Sequence, residues 1–258
     1  MLDQLFSGAL ADAAQRQNLI TASQLERQVN TASPALDATQ GLRPGRYVSL
    51  IAEVKRASPS RGTIAEIRDP ASLAVKYETG GAAAISVLTE SRSFSGSLQD
   101  LREIRQAVKL PILRKDFIAT EYQILEARAH GADFVLLIAT WLPRKRLTQL
   151  LQFSSDLGMA SLVETHSKSE IDVAVAAGAQ IIGINTRDLQ TFETNMALFE
   201  RLATELPQDC IKVAESSVKS RADIERYRDA GADAVLVGEA LVAGDTVRLL
   251  NEFTTVSV

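Results

Sequence analysis

Gly131-Ala132-Asp133-Phe134-Val135-Leu136-Leu137 reads as the end of a helix followed at once by a buried strand. The glycine supplies the left-handed residue that stops a helix, and the apolar run after it is too short to be anything but a strand between layers. The same pattern recurs as Gly80-Gly81-Ala82-Ala83-Ala84-Ile85-Ser86-Val87-Leu88, Gly178-Ala179-Gln180-Ile181-Ile182-Gly183-Ile184 and Gly231-Ala232-Asp233-Ala234-Val235-Leu236-Val237. From Gly81 through Gly131 and Gly178 to Gly231 the steps are 50, 47 and 53 residues, about twice one strand-helix unit. A further strand therefore belongs midway in each interval.

Ile112-Leu113, Ala160-Ser161-Leu162-Val163-Glu164 and Ile211-Lys212-Val213-Ala214-Glu215 fill those places, and a strand from about Tyr47 to Lys55 precedes them all. Helical patterns follow near residues 70–79, 97–109, 121–130, 143–157, 167–177, 195–205, 220–230 and 245–253. Several open on cap signals: Ser97, Thr120 before Glu121, and Ser167 with Glu170 in capping-box spacing. Eight alternating units with near-continuous apolar strands predict a single α/β domain closed as a (β/α)8 TIM barrel over residues 47–258. A doubly wound open sheet is the alternative, weakened by the lack of Gly-x-Gly-x-x-Gly after the first strand. Residues 1–46 form an N-terminal extension, with amphipathic helix expected from Leu2 to Gln28 and loop from Asn30 to Arg46, which carries Pro34, Gly41, Pro44 and Gly45.

At 258 residues and 46% hydrophobic content the chain can bury a large core. A net charge of -4 without a dense Lys/Arg run argues against a nucleic-acid surface and for a small-molecule partner. Cys210 stands alone, so an intrachain disulfide is excluded, and with only His130 and His166 no Cys/His cluster suggests zinc. The start Met1-Leu2-Asp3-Gln4 lacks a basic residue before a long apolar run, and no apolar stretch approaches the ~20 residues of a bilayer span. The expectation is a cytoplasmic protein without a membrane partner.

A barrel of this kind carries its active site at the carboxyl ends of the strands. Those ends hold Glu53 and Lys55, Thr89 and Glu90, Lys115 and Asp116, Thr140, Glu164, Asn185 and Arg187, Glu215 and Ser216, then Gly238 and Glu239. Some of them will be partners in structural ion pairs, but the set as a whole suits acid-base catalysis. Crowded lysines walled by a barrel should have depressed pKa values, while neighbouring carboxylates push the other way. On chemistry alone Lys115 could also form a Schiff base with a carbonyl, which keeps an aldolase-like reaction open. The loops after strands seven and eight, Ser216-Ser217 and Gly238-Glu239, are placed to bind phosphate. Phe94 and Phe117, just beyond strands two and three, could stack on an aromatic substrate, although core packing is the commoner fate of such rings. His166 shares a face with Glu164, but a lone histidine there reads as a hydrogen-bonded structural group and receives no role.

The stretches Ile51-Ala52-Glu53-Val54-Lys55-Arg56-Ala57-Ser58-Pro59-Ser60-Arg61-Gly62, Leu113-Arg114-Lys115-Asp116-Phe117-Ile118, Leu162-Val163-Glu164, Gly183-Ile184-Asn185-Thr186-Arg187-Asp188-Leu189 and Ala214-Glu215-Ser216 closely resemble indole-3-glycerol-phosphate synthase of tryptophan biosynthesis. The resemblance runs in order from about Ser49 to Leu241. It implies a (β/α)8 barrel that converts 1-(2-carboxyphenylamino)-1-deoxyribulose 5-phosphate to indole-3-glycerol phosphate by ring closure, decarboxylation and dehydration, with no cofactor and no metal. By motif it implies Lys115 as general acid for ring closure, Glu164 as acid or base in dehydration, Glu53 and Asn185 as groups positioning the sugar hydroxyls and amine, and Lys55 as a loop residue active in dehydration. Ser58 and Arg187 would hold the anthranilate carboxylate, with Phe94, Phe117 and Glu215 completing the substrate site. Ser216, Ser217, Gly238 and Glu239 would bind phosphate, and the loop from Arg56 to Asp69 would close over the ligand. Transient contact with other tryptophan-pathway enzymes stays open.

The chain departs from the family pattern in three places: Ser217 stands where glycine is usual, Thr165 stands where valine is usual, and the amino-terminal segment matches poorly. Two alternatives accompany the leading reading. One is a catalytically impaired paralogue that binds the same ligand; the other is a different phosphate-binding barrel lyase or isomerase, which would lack the joint Glu53, Lys55, Lys115, Glu164 and Asn185 set.

Overall fold

A computed structural model describes residues 2–188 and 191–258, which leaves Leu189 of the motif above outside the described residues. In chain order, helices α1 (Leu2–Leu19), α2 (Ala22–Thr31) and α3 (Ala38–Leu42) precede strand β1 (Ser49–Val54). A small hairpin, β2 (Ala57–Ser58) and β3 (Gly62–Thr63), then leads to α4 (Pro70–Thr79). The remaining alternation is β4 (Ala84–Leu88), α5 (Leu98–Ala107), β5 (Ile112–Lys115), α6 (Glu121–Ala129), β6 (Phe134–Ile138), α7 (Arg144–Asp156), β7 (Ala160–Thr165), α8 (Lys168–Ala176), β8 (Ile181–Asn185), α9 (Ala197–Leu202), β9 (Ile211–Glu215), α10 (Arg221–Asp229) and β10 (Ala234–Val237). The described chain ends with α11 (Glu239–Ala243) and α12 (Thr246–Phe253).

Strand β1 pairs in parallel with both β4 and β10, and the order β1-β10-β9-β8-β7-β6-β5-β4 closes a parallel barrel, as the repeat predicted. The glycines behind that prediction behave alike: Gly81, Gly131, Gly178 and Gly231 have φ of 87°, 94°, 89° and 93°, a region that only glycine enters freely. In each case the next residue donates back into the finished helix, as Ala132 N–H does to Ala127 O at 3.0 Å. Two of the four carry an aspartate that ties the turn to the preceding strand, where Asp133 accepts from Ile112 N–H at 2.9 Å and Asp233 from Lys212 N–H at 2.8 Å. The repeat therefore stops the helix, aims the next strand and holds the bottom of its neighbour.

The cap signals are used with one exchange. Ser97 accepts from Asp100 N–H, and Thr120 forms a reciprocal box with Gln123. Ser167 accepts from Glu170 N–H, but the Glu170 carboxylate does not return to Ser167; it takes the N–H of His166 at 2.7 Å instead. The helix expected from Leu2 to Gln28 forms in two parts, because Thr21 and Gln24 form a capping box that starts the second. The expected loop from Asn30 to Arg46 contains the short helix α3, capped by Asp37. Phe6, Ala38 and Leu42 of this segment are fully buried in the same core as the barrel strands. Among the described residues, no helix is long and apolar enough to cross a membrane.

Candidate active site

Alternation along a strand sends every second side chain to the barrel axis, and the register brings the charged ones level with one another at the carboxyl end. Ile138 pairs with Glu164, Glu164 with Gly183, and Asn185 with Glu215. The alternate members of the same strands, and the residues that follow them, face outward and are structural. Arg114 is fully buried and donates to Asp116 at 2.9 Å, Glu126 at 2.9 Å and Thr89 at 3.0 Å, which accounts for Asp116 and Thr89 among the strand-end residues. Glu90 accepts the N–H groups of Arg92, Ser93 and Phe94 at 3.0, 2.7 and 3.1 Å, so it shapes the loop that presents Phe94. Thr165, the other outward departure, is buried and donates to Gly183 O at 2.8 Å.

The mouth holds a polar cavity of about 860 Å³ and a smaller one of about 120 Å³. Glu53, Lys55, Lys115, Arg187, Ser216 and Glu239 line both. The smaller lobe adds Ser58, Phe94, Phe117, Glu164 and Asn185 to an apolar wall of Leu88, Leu136 and Ile138. The larger adds Glu215, Ser217 and Gly238. All fourteen candidate site residues thus lie around one mouth, although the sequence ordered them over nearly two hundred positions.

Lys115 Nζ stands 3.7 Å from Glu164 Oε2 and 3.7 Å from Glu215 Oε2, at the junction of the lobes. Burial alone would lower its pKa, but Glu164, Glu215 and Glu53 outweigh that and raise it. The depressed lysine expected from crowding is therefore reversed here, because the nearest charges are carboxylates. Burial pushes Glu164 up, yet Lys115 first, then His166 and a hydrogen bond from Asn185, bring it below its ordinary value. Glu215 is held well above the usual range by burial and by the charge of Glu164. Lys115 and Glu164 are thus held toward their charged forms, while Glu215 is pushed toward the neutral acid. Lys55 Nζ pairs with Glu53 Oε2 at 3.1 Å, and Ser86 Oγ donates to Glu53 Oε1 at 3.4 Å.

Two glycines leave room for this ring. A β-carbon at Gly183 would collide with the Glu215 carboxylate, and one at Gly238 would collide with that of Glu53. Asn185 Oδ1 accepts from Arg187 N–H at 3.0 Å and from Ser216 Oγ at 2.8 Å, which turns its amide nitrogen toward Glu164. Ser216 and Ser217 are successive left-handed residues with φ of 71° and 68°. The Ser217 hydroxyl lies 2.7 Å from Thr186 Oγ1, which also touches Tyr227 Oη at 3.0 Å. A buried hydroxyl cluster thus holds a conformation that glycine would adopt without strain.

The loop after β1 is folded over the mouth. Its hairpin brings Ser58 and Ser60 together at 3.3 Å, and Arg61 forms an ion pair with Glu239 at the start of α11. The Glu239 side chain is thus committed to the loop. From the opposite side α1 contributes Leu2 and Leu5 to the smaller lobe, while Phe6 stacks on Trp141 at 4.0 Å and meets Phe117 edge-on at 5.4 Å. Sequence reasoning missed Ser60, Arg61, Phe192, Leu2 and Leu5 as lining residues. Ser60 and Arg61 lay inside the first motif and were legible there; the other three carry no local signal.

A family model described as indole-3-glycerol phosphate synthase matches residues 2–252. The match includes the amino-terminal segment, which corrects the poor match expected there. The chain is 55% identical over 253 residues to the indole-3-glycerol phosphate synthase of Leifsonia xyli subsp. xyli, covering 98% of this chain and 97% of that protein. It is 52% identical over 247 residues to that of Mycolicibacterium smegmatis, covering 95% and 90%. In fold it is similar to the N-acetylmannosamine-6-phosphate 2-epimerase of Clostridium perfringens, with a TM-score of 0.62 at 15% identity over 84% of this chain and 96% of that one.

Proposed function

The chain belongs to the indole-3-glycerol phosphate synthase family, decarboxylating lyases of tryptophan biosynthesis acting on a phosphorylated small molecule, and from that premise we propose that Lys115, Glu164, Lys55, Glu53 and Asn185 form its catalytic group. The observation that carries this assignment is the position of Lys115 Nζ, 3.7 Å from each of two carboxyl groups where the two lobes meet.

The substrate, 1-(2-carboxyphenylamino)-1-deoxyribulose 5-phosphate, is aromatic at one end and dianionic at the other. The aromatic ring lies between Phe94 and Phe117, with Ser58 and Arg187 on its carboxylate. The phosphate lies in the larger lobe against the backbone amides at Ser216, Ser217, Gly238 and Glu239, with Lys55 adding charge. The ketone then falls at Lys115. Ring closure turns that ketone oxygen into an alkoxide, which is far more basic than an amine, so even a lysine of raised pKa delivers its proton downhill. The apolar wall of the smaller lobe favours neutral carbon dioxide over the carboxylate it replaces. Dehydration removes a ring proton and expels hydroxide. Glu164, kept ionised in the free protein, is the base, and Lys55 or re-protonated Lys115 supplies the acid. Glu53 and Asn185 hold the hydroxyls and the amine, and Glu215, whose acid form burial favours, donates a hydrogen bond to substrate.

The wider reading is a cytoplasmic enzyme that works without a nucleic-acid or membrane partner and meets other pathway enzymes only in passing; the net charge of -4 and an unpaired Cys210 support it. The test is to incubate purified protein with the carboxyphenylamino sugar phosphate and follow indole-3-glycerol phosphate by fluorescence. Turnover abolished by Lys115→Met supports the assignment. Tight binding without turnover in the unaltered protein would point instead to an impaired copy.

A further inference from the structure

His166 lies on the turn after β7, two residues beyond Glu164, and connects the catalytic carboxylate to a second carboxylate outside the cavity. Its Nε2 is buried, has no hydrogen-bond partner and stands 3.6 Å from Glu164 Oε1. Its Nδ1 is 3.5 Å from Glu170 Oε2 and 3.2 Å from Thr140 Oγ1. Glu170 is itself anchored, accepting from His166 N–H at 2.7 Å and from Thr140 Oγ1 at 3.0 Å. This is the exchange noted at the start of α8, where Glu170 gives up the helix cap to hold the turn.

We propose that His166 is a positioning residue: an imidazolium suspended between Glu170 and Glu164, it keeps Glu164 ionised and aims its carboxylate at the substrate. The inference rests on the assignment of Glu164 as the base of dehydration. The groups facing the ring are Glu164 from β7, Glu170 from α8, Asp188 from the segment after β8 and the neutral Thr140 from the segment after β6. All three charged ones are acidic. On its far side Glu164 faces Lys115, Asn185 and Glu215. Burial lowers the affinity of the ring for a proton, but the Glu170 hydrogen bond and the charges of Glu164, Glu170 and Asp188 outweigh it, so the ring is held above its ordinary value of 6.5. A cation thus flanks Glu164 on each side, Lys115 in the cavity and His166 behind it. Lys115 must surrender a proton during turnover and His166 need not.

The sign of the effect makes the inference testable. While His166 is charged it depresses Glu164, and the depression disappears once pH exceeds the raised His166 value. His166→Gln should therefore lower kcat about tenfold on the acid side, equivalent to about one pKa unit at Glu164, with KM within about twofold, and the two proteins should converge at high pH. His166→Lys, charged throughout, should restore the acid-side rate. A constant ratio across the pH range, or no effect at all, overturns the proposal. The chain has only two histidines, so NMR titration of the unaltered protein gives two curves, one removed by the variant. Burial first of all lowers His130, so a His166 midpoint above that of His130 and above 6.5 supports the inference, and a midpoint below 6.5 sinks it even if the variants do not fold. Glu164→Gln, run in parallel, separates the two readings: if it retains kcat the base assignment fails, whereas loss of kcat with a pH-independent His166→Gln effect removes only the role of His166.

Discussion

Lys115→Met removes the one ammonium between two buried carboxyl groups and should be read out in stability as well as in rate. In the intact protein Glu164 is ionised and Lys115 raised, so Lys115 contributes stability that is fully present below its ordinary value of 10.5. Lys115 is the largest of the groups that lower Glu164, so without it burial and Glu215 outweigh what His166 and Asn185 still supply, and Glu164 is pushed toward its protonated form. Its folded pKa then lies above its unfolded value of 4.5, so stability is unaffected below that value and falls as pH rises through the window above it. Across that window the loss grows by at most about 1.4 kcal/mol per pH unit, beyond any packing change. Methionine fills a similar volume, so packing itself should cost under about 1.5 kcal/mol. Urea unfolding of both proteins at pH 5, 6 and 7 measures this, and a second substitution, Glu164→Gln, should flatten the pH dependence. Ring closure, followed by substrate consumption in a single turnover, should slow by at least about a hundredfold. Near-normal turnover would remove Lys115 as the proton donor, and a stability difference that does not grow with pH would remove its hold on Glu164.

Other outcomes follow from single contacts. Gly238→Ala places a methyl group against the Glu53 carboxylate at a φ of -117° that alanine tolerates; it should cost about 1–3 kcal/mol and displace Glu53, so kcat should fall well beyond what a melting shift explains. Arg187→Ala should chiefly raise KM, by about tenfold to a hundredfold for a charge-assisted contact worth about 1.5–3 kcal/mol; an unchanged apparent affinity would remove its carboxylate role. Arg114→Leu strips Asp116 and leaves Glu126 with Arg16 alone, and should destabilise by about 3–5 kcal/mol in urea unfolding. Arg61→Ala releases the loop after β1 from Glu239 and should speed limited proteolysis between Ser58 and Ile64 while raising KM; unchanged proteolysis would deny the latch.

Much of the architecture was legible because its causes are local. A left-handed glycine ends a helix whatever surrounds it, and four such stops at near-equal spacing announce the strand period without any tertiary information. Strand alternation is likewise local, and it carries Lys115 and Glu164 to the interior and Arg114 and Thr165 to the outside. Leu2 to Gln28 misled because Thr21 and Gln24 are an unobtrusive start signal inside a continuous amphipathic pattern. Ser167 and Glu170 showed the spacing of a capping box, but the neighbouring turn offered Glu170 a better donor.

The order of strands and helices, the face of each strand and the chemistry available at the mouth are all written in the amino-acid sequence. How those charges act on one another depends on closure of the barrel, since an amine reads its pKa from neighbours within a few ångströms and those neighbours come from β1, β7 and β9. That is why Lys115 is raised where crowding suggested depression, why Glu215 is pushed up while Glu164 is drawn down, and why Glu239 is bound to Arg61. It is also why His166, silent in the chain, stands between two carboxylates: its partners Glu164 and Glu170 are near in sequence, but Thr140 and Asp188 reach it only once the barrel closes.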